Sequence, residues 1–285
     1  CDVALTLLRE YAPNAEADAF GNVTAVISCG NTAAKTLMLD AHIDEVSMIV
    51  TAISEDGFLT VSKCGGIDLR TLPAREVTIH GKERVRGVFC SVPPHLSSGD
   101  MEFNNISDFK IDTMLGSRAR DIISVGDYVT FSATAKSLIG NRVTGKSFDD
   151  RAGVVCLLEL AERFSQTPPP IDIIFVLSDG EELGLRGSRT ATFDVEPDEA
   201  IAIDVSFGNA PDVSPDDCGK LSGGAMIGIS PVLDSGISKK LIQIAEDNKI
   251  PYQCEVMGSK TGTNSDVISI NKGGVKTGLV SIPLR

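Results

Sequence analysis

With 285 residues, 42% of them hydrophobic, the chain is long enough to fill one large domain or two modest ones. Its 26 Lys and Arg residues are outnumbered by 39 Asp and Glu, and a formal net charge of -13 repels both a phosphate backbone and an anionic membrane, which excludes nucleic acid as a partner. No apolar run approaches the ~20 residues of a spanning helix and no signal-peptide pattern opens the chain, so no membrane partner and a cytoplasmic location are expected. The seven cysteines are scattered and odd in number, with no CxxC pair, as expected of reduced structural thiols.

In chain order, VALTLLREY (3–11) has the spacing of a short helix, and FGNVTAVIS (20–28) and TLMLDAH (36–42) read as strands. From about 58 to 138 the texture changes to short β-type segments (FLTVS, EVTIHG, RVRGVFCSV, DYVTFSA) broken by glycine, proline and charged turns. This block reads as a small, barrel-like β domain inserted between two parts of a larger one, 1–57 and 139–285. Beyond it, a helix is expected from about Asp150 to Phe164, strands at 171–178 and 199–205, a helix at 236–247, and strands near 252–257 and 275–282. Such alternation predicts an α/β fold, a sheet covered by helices on both faces. The chain begins at Cys1 and ends at LVSIPLR within an apolar stretch, so both ends are expected to be clipped from a longer protein.

An open α/β sheet binds ligands outside the carboxyl ends of its strands, and four segments place polar groups there. LMLDAHIDEV (37–46) ends a strand in His42 and then Asp44, a His-x-Asp arrangement in which the carboxylate can orient the imidazole. GKSFDDRAG sets Asp149 and Asp150 at a helix start, SDGEELGLRGS puts Glu181 and Glu182 just beyond an apolar strand, and AIAIDVSFG ends a strand in Asp204. Each has an ordinary reading as well: a structural histidine, N-capping, a turn cap, or acids suited to a helix dipole. Together they form the donor set of a dinuclear divalent-metal site, and two adjacent glutamates provide a metal ligand and a free base side by side. His80 and His95 are expected to be structural or surface residues, and GTNSD (262–266) to line a pocket or simply to start a helix.

These segments, with TGTNSD and LVSIPLR, in this order and separation, resemble the M42 family of dinuclear metallo-aminopeptidases, a group that also carries the label endoglucanase M. The resemblance implies that His42 and Asp204 bind one metal, Asp149 bridges two, and Glu182 binds the other. It further implies that Glu181 is the general base and Asp44 the partner of His42. Two divalent ions per subunit, zinc or cobalt with manganese an alternative, short peptide substrates, and assembly of dimers into dodecamers follow from the same likeness. The family's last ligand, a histidine, falls beyond Arg285. Alternative readings are a glycoside hydrolase using paired carboxylates, disfavoured by the absence of tryptophan and by only three tyrosines, and a metal-deficient assembly or peptide-binding homologue.

Overall fold

The computed structural model describes residues 1–90, 105–211 and 213–285; His95 lies outside the described residues. The chain forms two compact units, one from Cys1–Asp44 with Phe148–Arg285 and the other from Glu45–Ser147.

The first segment contributes α1 (Asp2–Arg9), β1 (Glu16–Ala17), β2 (Val23–Ile27) and β3 (Thr36–His42) to the larger unit. The smaller unit follows with β4 (Ser47–Ile53), β5 (Leu59–Cys64), β6 (Glu76–His80), β7 (Arg84–Phe89), β8 (Ile111–Asp112), α2 (Ala119–Ile122) and β9 (Tyr128–Phe131). Its strands close into a barrel in the order β4-β5-β8-β7-β6-β9, while β10 (Lys136–Leu138) and β11 (Arg142–Thr144) form a separate hairpin. Closure removes unpaired edges, and period-two alternation fills the interior: Val77 and Ile79 are buried while their neighbours Glu76 and His80 face outward. His80 there hydrogen-bonds the Thr130 hydroxyl through its ring Nε2 at 2.9 Å. Met48 and Val50 of β4 belong to the same core, so this unit is wider than the 58–138 expected from texture: SMIVTAI follows β3 with too little turn chemistry between them to mark a boundary.

The chain returns with α3 (Phe148–Gln166), β12 (Asp172–Ser178), α4 (Arg186–Val195), β13 (Glu199–Phe207), β14 (Ala225–Ile229), α5 (Ser235–Asp247), β15 (Tyr252–Val256), α6 (Ser265–Ile268) and β16 (Lys276–Leu284). The larger unit is built on one mixed eight-stranded sheet, ordered β1-β2-β12-β3-β13-β16-β14-β15. Its centre is parallel, β12 with β3, β3 with β13 and β13 with β16. β14, absent from the sequence reading because AMIGI is only five residues behind a glycine pair, runs antiparallel to β16.

Alternation along the central strands divides the hydrophobic core in two. Leu39, Ala41, Ile173, Phe175 and Leu177 pack with Val154, Leu157 and Ala161 of α3 on one face. Met38, Ile174, Val176, Ala200 and Ala202 pack with Ala191 of α4 and Ile268 of α6 on the other. A sheet with helices on both faces, plus a small barrel, is the fold class predicted from alternation. Among the described residues no helix is long and apolar enough to cross a membrane.

Candidate metal centre

The site arises where two parallel strands part. β3 and β13 pair from Glu199–Leu37 to Ala202–Asp40 and no further, so His42 and Asp204, the next positions on that face, are released from the ladder. β13 runs on to Phe207 beside β16, which places Asp204 inside its strand rather than at the end the sequence predicts. His42 is 1% exposed and Asp204 5%, both on the face that carries Met38 and Ala202.

Asp149 arrives from the third segment. Neither Asp149 (φ -81°, ψ 108°) nor Asp150 is helical, so the regular part of α3 starts after them, and the peptide between them is cis. The two aspartates divide the labour left open by the sequence. Buried Asp150 does the capping, accepting the Gly153 N–H at 3.0 Å and the His42 N–H at 3.3 Å. Asp149 points the other way, its Oδ1 2.9 Å from His42 Nε2, which also lies 3.9 Å from Asp204 Oδ1. One donor atom from each of His42, Asp149 and Asp204 lies within 4.8 Å of the others.

Glu181 and Glu182 follow β12 in a loop turned by Gly180, whose φ of +72° only glycine adopts without strain. α4 begins at Arg186, so the pair is not the first turn of a helix; both side chains are half-buried and line the same cavity as His42, Asp149 and Asp204. The pair is held from behind. Asp44 accepts the Glu181 N–H at 3.0 Å and the Glu182 N–H at 3.1 Å, one on each carboxylate oxygen. Its Oδ1 lies 3.4 Å from His42 Nδ1, an ion-pair distance without hydrogen-bond alignment. Glu182 lies outside the three-residue donor group.

Crowded, buried carboxylates resist ionisation together. Burial, then the Asp204 charge, pushes Asp150 up to about 9; burial, with Asp204, Glu182 and Asp44 adding to it against an opposing His42, pushes Glu181 up to about 8; burial pushes Asp204 up to about 7. Burial opposes the charged form of His42, but Asp149 and Asp44 outweigh it and raise the imidazolium to about 12. Among the described residues no lysine or arginine pairs with Asp149, Glu181 or Asp204. A divalent cation would balance this cluster of carboxylates. Donors ~2.0–2.2 Å from a tetrahedral ion stand ~3.4 Å apart, and the 2.9 Å and 3.9 Å separations from His42 Nε2 bracket that spacing. The residues present therefore fit a hard-to-borderline metal.

A second layer escaped sequence reading. Asp40, fully buried two residues before His42 on the same strand face, takes a 2.6 Å hydrogen bond from Asn264 Nδ2, which also reaches Ser178 Oγ at 2.9 Å. Burial pushes Asp40 up to about 6 despite Asn264. The signal was present, since a charged residue at an inward position of an apolar strand requires a partner; the partner, 224 residues away, was not readable. Of TGTNSD, Thr261, Gly262 and Thr263 line the cavity, whereas Asn264 lies beneath it.

The family described as M42 glutamyl aminopeptidase matches residues 21–285. A lysyl aminopeptidase of Pyrococcus furiosus is 32% identical over the whole of this chain and 83% of its own length. An aminopeptidase structure from Desulfurococcus kamchatkensis superposes with a TM-score of 0.91 at 31% identity, covering 99% of this chain and 80% of its own. A TET peptidase of Pyrococcus horikoshii that assembles into a tetrahedron or a large octahedral shell gives 0.85 at 29% identity, with 99% and 84% covered. The chain belongs to the M42 glutamyl aminopeptidase family of peptidases.

Proposed function

We propose that the protein is a dinuclear metallo-aminopeptidase that removes the first residue of short peptides. The observation that carries this reading is the convergence of His42, Asp149 and Asp204, with Glu181 and Glu182 facing the same cavity of about 1160 Å³, ample for the end of a peptide. His42 and Asp204 would hold one divalent ion and Glu182 a second, with Asp149 shared between them; zinc or cobalt would suit this imidazole and carboxylate set, with manganese an alternative. When bound, the ions polarise the scissile carbonyl and ease deprotonation of water near neutral pH.

The side chains supply the rest. Glu181, kept by burial close to neutral in its proton affinity, takes a proton from the attacking water and delivers it to the departing amine nitrogen. Asp44 fixes the backbone on which Glu181 and Glu182 sit and faces the imidazole of His42. The closed assemblies of the Pyrococcus horikoshii relative support a homo-oligomer built from this chain, and seven free thiols support a cytoplasmic, reducing location.

The test is hydrolysis of a panel of aminoacyl-p-nitroanilides before and after chelation, with metal add-back. Activity lost to the chelator and restored by zinc or cobalt is expected; activity on a β-glucan that survives the chelator would overturn the reading.

A further inference from the structure

Glu255, on β15, lines the same cavity as Asp149, Glu181, Glu182 and Asp204 but lies outside the donor group of His42, Asp149 and Asp204. Its position is set by the rigid sheet. Ser281 is the register partner of Asp204 on β16, and its hydroxyl donates to Glu255 Oε2 at 2.8 Å. Ser206, two residues beyond Asp204 on β13, donates to Oε1. Two neutral hydroxyls orient the carboxylate without cancelling its charge, and among the described residues no lysine or arginine pairs with it.

The charge around it points the same way. Once Asp149, Glu181, Glu182 and Asp204 are committed to metal ions and proton transfer, the remaining charged lining is Glu255, Asp216 and Asp217 against Arg285, a surplus of negative charge for an incoming group to meet. Met226, Met257 and Leu279 line the same cavity and offer apolar contact to a methylene stem. Register partners stand ~5 Å apart, so the Ser281 hydroxyl lies about one strand spacing from Asp204, within reach of a four-carbon side chain extending from the metal centre.

Building on the aminopeptidase reading, we propose that Glu255 is a specificity-determining residue that selects peptides beginning with lysine or arginine by pairing with the side-chain cation. The same chemistry would suit the α-ammonium group of any peptide, and comparing ligands with equal stems separates the two.

The experiment measures calorimetric binding of L-lysinamide and L-norleucinamide to the metal-loaded protein, alongside kcat/KM for lysyl-, arginyl- and leucyl-p-nitroanilide, in the wild type and in Glu255→Gln, with metal content checked by elemental analysis. The wild type is expected to prefer lysinamide by about tenfold or more, the range of a charge-assisted hydrogen bond, and Glu255→Gln to collapse that ratio through KM while retaining its metal. A wild type that binds both amides equally overturns the proposal whatever the variant does, as does a variant that loses both in equal proportion, the mark of an α-ammonium anchor. Preference for lysinamide that depends on Glu255, without turnover of any p-nitroanilide, would sustain this inference and sink the aminopeptidase reading; metal-dependent turnover without preference would do the reverse.

Discussion

Asp44 and Glu181 are joined through the backbone: Asp44 Oδ1 receives the Glu181 N–H at 3.0 Å, while its other oxygen takes the N–H of Glu182. The residue that faces His42 thus also fixes the loop that presents both glutamates, so one carboxylate links the imidazole to the backbone of Glu181 and Glu182. Its pKa is lowered: burial opposes this, but His42 and the two backbone donors prevail, so Asp44 is ionised and fully committed as an acceptor.

Asp44→Ala should therefore weaken two functions together. Removing such supporting groups typically costs ~10–100-fold in metal affinity or activity, and both zinc affinity and kcat are expected to fall. A variant that lost one and kept the other would show that the two roles of Asp44 are separable.

Glu181→Gln preserves shape and the backbone clamp but cannot take a proton. Turnover is expected to drop by ~10²–10⁴-fold with metal content unchanged by elemental analysis. Full activity in this variant would remove Glu181 from the reaction.

Asp149→Ala should act on metal content first. Asp149 lies nearest the His42 ring nitrogen and is the proposed bridge, so elemental analysis is expected to show less than two ions per chain and the chelator concentration for half-inactivation to fall. Two tightly held ions in Asp149→Ala would place the bridge elsewhere.

The metal-free protein should lose stability as pH rises. Asp150, Glu181 and Asp204 have folded pKa values of about 9, 8 and 7, all above the usual ~4 of an unfolded carboxyl, and His42 is raised to about 12. A raised pKa means protons bind the folded state more tightly, so the stabilisation is present below the unfolded pKa and is lost as pH climbs through the folded one. Between about pH 5 and pH 9 the Tm of the chelated protein is expected to fall, and added zinc or cobalt, replacing the shared protons, to raise Tm more at about pH 8 than at about pH 5.5. A flat or rising Tm in the chelated sample contradicts the crowding of these groups.

Asn264→Ala strips the buried Asp40 of its 2.6 Å donor. Leaving a buried polar group unsatisfied costs ~1–3 kcal/mol, and more for a charged one, a Tm loss of several degrees in thermal unfolding. Because the two side chains are partners, Asp40→Ala combined with Asn264→Ala should cost less than the sum of the single changes; strict additivity would show that the contact carries no coupling.

The local features were legible because they depend on near neighbours. Short apolar runs in TLMLDAH and IDIIFVLS marked the central strands, the switch in texture marked the barrel, and His-x-Asp, Asp-Asp and Glu-Glu at element ends marked the chemistry. Sequence spacing could not decide which aspartate of Asp149–Asp150 faces the site, because that depends on two non-helical residues ahead of α3 and on the buried N–H of His42 that claims Asp150. It gave no sign that β3 and β13 stop pairing after Asp40 and Ala202, the parting that opens the centre, nor that Ser281 would orient Glu255 towards the same cavity. Period and turn chemistry reach only a few residues along the chain and so determined the elements and the kinds of donor. Strand register joins residues far apart in sequence, and only the folded sheet decided which donors meet.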